Sequence, residues 1–145
     1  MTVASILGHK SGAQIFSCGP DDTVSSVTKQ LTDHRIGAIL VIDDSGVLIG
    51  IISERDIVRL IAKRGEKALT SSVSAAMTDN VVTCLPSDTV TMLMGLMTEN
   101  RVRHIPVVVD KEIEGVVSIG DVVKARIAAA EREAAEMMQY ISSGV

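Results

Sequence analysis

The chain has 145 residues, of which 46% are apolar, 22% charged and 1% aromatic, so it is a globular protein of one domain or two small halves. It has 14 Lys and Arg residues and 18 Asp and Glu residues, which give a net charge of -4. Its only aromatic residues are Phe16 and Tyr140. We therefore expect neither a basic nucleic-acid-binding face nor an aromatic platform for stacking bases.

The elements predicted in chain order repeat one pattern. A short strand at residues 15–18 precedes a helix capped by Asp22 or Thr23, in which apolar residues recur at helical spacing. Two strands at 38–42 and 47–52 then lead into a second helix. The later part of the chain is expected to repeat this order, with strands at 81–84, 105–109 and 113–117 and a last helix that runs to about residue 140.

This pattern reflects an internal duplication. A shift of 66 residues places residues 18–24 on residues 84–90, with Cys, Pro, Asp, Thr and Val in common, and a shift of 65 aligns the ends of the two copies. The expected fold is α/β (α+β), with two β-α-β-β-α repeats packed as a pseudo-twofold pair around a shared core. The boundaries are an amino-terminal segment 1–14, repeat one 15–64, a linker 65–80, repeat two 81–127 and a helical extension 128–145.

The last helix carries a narrow apolar seam, which begins at the end of the second repeat and continues through the helical extension. Its apolar residues are spaced by three and four positions on an otherwise charged helix, namely Ile127, Ala130, Ala134, Met137 and Ile141. Such spacing is typical of a helix that packs along a partner helix. A second copy of the chain is the simplest partner, so we expect a homodimer.

No membrane span is expected, because the longest apolar stretch, 36–42, is far shorter than the roughly 18 residues that a spanning helix needs. Residues 1–12 lack the features of a secretion leader, and the cytoplasm is the expected compartment. Cys18 and Cys84 form no C-x-x-C pair and are expected to be buried. Because the three histidines show no metal-ligand spacing, no metal is expected.

Both repeats contain the sequence Gly-apolar-apolar-Ser-x-x-Asp at a strand-to-helix junction, from Gly50 to Asp56 and from Gly115 to Asp121. Ser followed three residues later by an acidic residue resembles a capping box, which needs no ligand. The alternative is a binding site, since a carboxylate can accept hydrogen bonds from both ribose hydroxyls and the helix amino terminus favours phosphate. In that interpretation the glycine allows a ligand to approach the strand end closely.

These motifs resemble tandem cystathionine-β-synthase-type (CBS) domains, paired in a Bateman module. The two Gly-x-x-Ser-x-x-Asp segments, the Arg-His-Ile-Pro-Val run at 103–107, and the pairs 77–78 and 82–83 carry the resemblance. It implies a regulatory, energy-sensing module that binds AMP, ADP or ATP, or else NAD(H) or S-adenosylmethionine, in clefts between the repeats. It implies no catalytic cofactor, and an unidentified regulated protein as a further partner.

The resemblance also implies the site residues. Ser53 with Asp56, and Ser118 with Asp121, would each hold one ribose, while Ser17 and Thr83 on the first strands would lie near the nucleoside. Backbone groups of Ile36, Gly37, Ala38, Val102, Arg103 and His104 would face the base. Phosphates would meet Arg103 and His104 at the first site and Arg55 at the second.

The two copies differ at these positions, because Gly37 and Ala38 stand where the second copy has Arg103 and His104, and Arg55 stands where it has Gly120. The two sites should therefore differ in affinity or ligand. For the basic residues, a solvated surface charge is the alternative interpretation.

No nucleophile with a base, carboxylate pair or metal cluster appears outside the repeats, and the serines of the repeats have no evident base as partner, so an enzyme is not expected. The remaining alternative to a nucleotide sensor is a ligand-independent interaction or dimerisation module, in which the motifs only cap helices. Neither nucleic acid nor a membrane is expected as a partner.

Overall fold

The computed structural model describes residues 1–10 and 14–144 of this mixed α/β protein. Its regular elements, in chain order, are α1 (Val3–His9), β1 (Ser17–Cys18), α2 (Val24–His34), β2 (Ala38–Ile42), β3 (Leu48–Ser53), α3 (Glu54–Arg64), a 3₁₀ turn (Gly65–Ala68), α4 (Val73–Ala76), α5 (Val90–Asn100), β4 (His104–Val109), β5 (Glu112–Ser118) and α6 (Ile119–Ser143).

One compact unit comprises Gln14–Thr83 together with Val108–Ile113. Its three-stranded sheet has the order β1-β2-β3, with β1 parallel and β3 antiparallel to β2. The core lies between this sheet and helices α2 to α4, and its fully buried side chains are aliphatic. Val24, Val27 and Leu31 give α2 one apolar stripe against the sheet, because their spacing follows the helical period.

The other unit comprises the described parts of Met1–Ala13, Cys84–Val107 and Glu114–Val145. Most of β4 and β5, which form a two-stranded sheet, lies in this unit, and Val90, Leu93 and Met97 give α5 the same buried stripe. The predicted strand at residues 81–84 is wrong: only Cys84 bridges in parallel to Val107, as Cys18 does to Val41 in the first repeat.

Each repeat is completed by the segment that precedes the other repeat in sequence. In the first unit, the amide of Val73 donates to the carbonyl of Asp22 (2.8 Å). In the second, Val3 donates to Asp88 (2.9 Å) in the same way. Asp22 and Asp88 are equivalent under the 66-residue shift, so α1 is to the second repeat what α4 is to the first. The sequence did not predict α1.

Several local predictions are confirmed. Thr23, one of the two predicted caps, caps α2 by accepting a hydrogen bond from the Ser26 amide, and the equivalent Thr89 caps α5 in the same way. The strand at 38–42 has the predicted bounds, and the predicted boundaries of β3 to β5 differ from the observed ones by at most one residue. The last helix ends at Ser143 rather than near residue 140. The domain boundaries themselves stay a prediction, and residues 11–13 and 145 lie outside the described residues.

Candidate functional site

The first Ser-x-x-Asp motif lies where β3 passes into α3. Ser53 is the N-cap of α3, and its backbone amide and Oγ both donate to Asp56 Oδ2, at 2.9 and 3.0 Å. The amide of Asp56 donates back to Ser53 Oγ at 3.3 Å. The residue Asp56 is only 8% exposed. The capping interpretation is therefore physically realised at this junction.

The second motif forms the same capping box where β5 passes into α6. The Ser118 amide donates to Asp121 Oδ2 at 2.8 Å, and the Asp121 amide donates to Ser118 Oγ at 3.2 Å. In both repeats the capping bonds converge on Oδ2. A carboxylate has about four acceptor positions on its two oxygens, so capping leaves room for a further partner.

A third group contacts each aspartate, and it differs between the repeats. In the first unit, the neutral hydroxyl Thr78 Oγ1 donates to Asp56 Oδ1 at 3.2 Å. In the second, Lys10 Nζ lies 2.8 Å from Asp121 Oδ2 and also donates to the carbonyl of Val116 at 2.8 Å. The structurally matched segments, one containing α4 and the other α1, thus deliver a neutral group to one aspartate and a cation to the other.

The charge of Lys10 is reflected in the acidity of its partner. Partial burial acts to raise the pKa of Asp121, but hydrogen bonds from Lys10 and Ser118, together with the charge of Lys10, outweigh burial. The pKa of Asp121 is therefore held below its ordinary value. This carboxylate stays ionised at neutral pH and paired with a cation.

The glycines of the two motifs are closely approached by this chain's own residues. A Cβ on Gly50 would lie 2.5 Å from Met77 Sδ and 3.1 Å from the carbonyl oxygen of Thr78. A Cβ on Gly115 would lie 2.8 Å from Leu7 Cδ2. The close approach that the sequence indicated at these glycines is thus made by the segments containing α4 and α1.

The structure brings three of the candidate base-facing residues, Gly37, Ala38 and Arg103, to the same junction as the Ser-x-x-Asp motif of their repeat. The carbonyl of Gly37 accepts a hydrogen bond from the Glu54 amide (3.0 Å), and the carbonyl of Arg103 accepts one from the Ile119 amide (2.8 Å). Ala38 pairs directly with Ser53 in the sheet.

The other predicted site residues are placed as follows. Ser17 is exposed on β1, Arg55 is exposed on the first turn of α3, and Ile36 and Val102 are half-buried just after α2 and α5. His104 begins β4 and is half-buried. Thr83 is exposed and lies on no strand, which corrects its predicted place on a first strand, because pairing in this segment is limited to Cys84.

Lys10 and Thr78 are the residues near the motifs that sequence reasoning did not assign to the site. Thr78 belongs to the 77–78 pair that carried part of the family resemblance. Lys10 had no such indication, because its contact joins residues 111 positions apart.

Both cysteines are buried, as predicted, and the structure describes them as free thiols. Burial, together with the nearby charge of Asp22 or Asp88, raises the pKa of each thiol to about 11. They are therefore unreactive core residues rather than nucleophiles.

Within residues 1–10 and 14–144, no three His, Cys, Asp or Glu side chains are grouped as a metal site would require. None of the helices in these ranges is long and apolar enough to cross a membrane.

Comparison with known proteins places both repeats in one family. The family model for the CBS domain matches residues 11–63 and again 73–128. The mitochondrial CBS domain-containing protein CBSX3 of Arabidopsis thaliana is 40% identical over 141 residues, which cover 94% of this chain and 68% of the relative. A solved CBS-domain containing protein from Agrobacterium tumefaciens is 43% identical, with a TM-score of 0.82, covering 86% of this chain and 92% of its own.

Two further matches bear on ligand and chemistry. A CBS domain protein from Pyrobaculum aerophilum, solved in complex with AMP, is 25% identical with a TM-score of 0.73, covering 83% of this chain and 89% of its own. The inosine-5'-monophosphate dehydrogenase of Methanocaldococcus jannaschii is 29% identical over 113 residues, which are only 22% of that enzyme.

Proposed function

Because this chain belongs to the CBS domain family, we propose that it is a regulatory module that senses adenine nucleotides, AMP, ADP or ATP, at its Ser-x-x-Asp junctions. NAD(H) and S-adenosylmethionine are alternative ligands that share the adenosyl group. The AMP complex of the Pyrobaculum aerophilum relative supports an adenosine-containing ligand.

The duplication of the whole junction carries this proposal. In both repeats an N-cap serine, an ionisable aspartate and a neighbouring backbone carbonyl occupy the same place, at Ser53 with Asp56 and at Ser118 with Asp121. The aspartates would accept hydrogen bonds from ribose hydroxyls, and the amino termini of α3 and α6 would favour a nearby phosphate. A helix cap alone would not require the same serine and aspartate in both copies, because many residues cap helices.

The module regulates rather than catalyses in this proposal. The similarity to inosine-5'-monophosphate dehydrogenase is confined to a small part of that enzyme. The function of this chain in the proposal is to pass its ligand state to an unidentified protein. A ligand can shift that protein only through its different affinities for two states of the module. A cytoplasmic location stays a prediction for this chain, whereas the CBSX3 relative of Arabidopsis thaliana is a mitochondrial protein.

The proposal includes a homodimer formed through α6. This helix has 25 residues and is about 37 Å long. Its seam is uncovered by the described residues, with Ile127 at 54%, Met137 at 67% and Ile141 at 65% exposure. The same exposed seam supports the second candidate function, a ligand-independent dimerisation module. Truncation after Arg126 should lower the mass found by sedimentation equilibrium, and an unchanged mass would exclude the seam as the dimer contact.

Thermal denaturation with AMP, ADP, ATP, NAD and S-adenosylmethionine tests the ligand proposal. A ligand at a hundred times its Kd should stabilise the fold by about 2.7 kcal/mol, or roughly 8 °C for a chain of this size. We expect Asp56→Asn and Asp121→Asn each to remove part of this ligand-dependent shift.

The matched control is Thr23→Ala, which removes the N-cap of α2 but leaves both junctions intact. It should lower the midpoint without changing the ligand-dependent shift. If none of the five compounds moves the midpoint of the unsubstituted protein, the dimerisation function replaces the sensor.

A further inference from the structure

We propose that Lys10 sets the ligand preference of the second repeat, making its junction favour phosphorylated nucleotides over the uncharged nucleoside. This inference rests on the proposed function, because it concerns the same Ser-x-x-Asp junctions. It predicts that the first repeat, where Thr78 replaces the cation, discriminates less strongly between AMP and adenosine.

The argument begins with the groups that touch the two aspartates. Asp56 is contacted by a threonine hydroxyl, and its ion pair with Arg59 Nη1 is long, at 3.9 Å, on a side chain that is 67% exposed. Asp121 is contacted at 2.8 Å by Lys10, whose side chain is 33% exposed. An exposed pair at the longer distance contributes little, whereas the short and partly buried pair largely neutralises its carboxylate.

Charge on the adjoining helix turns does not cancel this difference. The first turn of α3 carries the opposite charges of Glu54 and Arg55, whereas α6 begins with the uncharged Ile119 and Gly120. The cation of Lys10 is therefore an addition to the second junction, and an anion approaching Asp121 meets less repulsion than one approaching Asp56.

The hydrogen-bonding capacity of Lys10 leaves a place for a ligand. Its ammonium has three donors, and two are used by Asp121 and the carbonyl of Val116. None of the described residues accepts from the third donor, which could bind a phosphate oxygen, and none donates to Asp121 Oδ1. A nucleotide could thus bind Asp121 through its ribose hydroxyls and Lys10 through its phosphate.

Lys10 is not needed to hold α1 in place. The amides of Val3 and Ala4 bond to the carbonyls of Asp88 and Pro86, both at 2.9 Å. Val3 and Ile6 are also buried. Replacing Lys10 should therefore change the charge at the junction while the helix that carries it stays packed.

The test is calorimetric titration of AMP and of adenosine into full-length protein carrying Asp56→Asn, so that binding reports the second repeat. In that background, Lys10→Met should weaken AMP about tenfold, the loss of one hydrogen bond to a charged group, and adenosine much less. Lys10→Arg should keep the preference for AMP. In protein carrying Asp121→Asn, which reports the first repeat, Lys10→Met should change neither affinity.

The matched control is Lys124→Met, which removes one exposed positive charge from α6. Equal weakening of AMP and adenosine by Lys10→Met, or the same selective loss from Lys124→Met, overturns the role of Lys10. If AMP binds but Lys10→Met has no effect, only this inference fails. If the unsubstituted protein binds neither compound, the proposed function fails with it.

Discussion

Alanine at the two motif glycines should have unequal effects on stability. Both glycines are buried on the last strand of their repeat, and neither has a positive φ, so steric contact decides the outcome. At Gly50 the new Cβ meets Met77 Sδ at 2.5 Å and the Thr78 carbonyl oxygen at 3.1 Å. At Gly115 it meets only the terminal methyl group of Leu7, at 2.8 Å.

The Thr78 carbonyl beside Gly50 cannot move away easily. Ile51 and Thr78 exchange two backbone hydrogen bonds, at 3.0 and 2.9 Å, which hold the Met77-Thr78 segment against β3. Overpacking a buried site costs about 1–3 kcal/mol, and replacing glycine by alanine returns about 0.4–1 kcal/mol through the unfolded chain. We therefore expect Gly50→Ala to destabilise the protein by about 1–2 kcal/mol.

Gly115→Ala should be nearly neutral, because the end of the Leu7 side chain can rotate away and the same unfolded-state gain applies. Thermal denaturation followed by circular dichroism would show a midpoint about 3–6 °C lower for Gly50→Ala. Adding Met77→Ala to Gly50→Ala should cost less than the sum of the two single changes. A loss from Gly115→Ala that equals or exceeds the loss from Gly50→Ala would refute this reasoning.

Three further predictions concern a helix cap, the two cysteines and the ion pair of Asp121. Arg35, the C-cap of α2, has φ 53° and ψ 47°, a left-handed conformation that glycine adopts at lower cost. Arg35→Gly should therefore raise the free energy of unfolding in urea by about 0.5–1 kcal/mol, and a lower value would contradict this reasoning. With pKa values of about 11, Cys18 and Cys84 should be about one part in a thousand thiolate at pH 8, and labelling by a disulfide reagent should require unfolding. The lowered pKa of Asp121 contributes stability above its ordinary value of 3.8, which is lost as the pH falls through the folded value. The deficit of Lys10→Met, about 0.5–1 kcal/mol at pH 7, should therefore shrink in acid denaturation curves, and a constant deficit would exclude the ion pair as its cause.

The features predicted correctly from sequence depend on near neighbours. The cap at Thr23 needs only the amide three residues ahead, and the strand at 38–42 is a continuous apolar run. Duplication strengthened the predictions within the repeats, because the same pattern of residues occurs in both copies. The failed strand at 81–84 shows the limit: its apolar residues match the pattern, but the backbone pairing reaches only Cys84.

The features that were missed depend on residues far apart in the chain. Helix α1 has seven residues, too short to be stable alone, and it is held by the second repeat through Val3 and Ile6. The partners of the two aspartates come from 22 and 111 positions away. Spacing within a motif contains no information on such contacts, so the difference between Thr78 and Lys10 emerges only from the fold.

Helix capping and the proposed ligand binding would be compatible at these junctions, because capping uses one carboxylate oxygen and a ligand could use the other. The capping bonds of Asp56 and Asp121 both end on Oδ2. The Oδ1 atom of Asp56 is engaged by Thr78, a donor that a ligand hydroxyl could replace, and that of Asp121 has no partner among the described residues. A capping box that fixes the aspartate rotamer also pre-organises its second oxygen, which lowers the entropy lost when a ligand binds. The capping role of the motif is therefore compatible with the proposed binding role and does not compete with it.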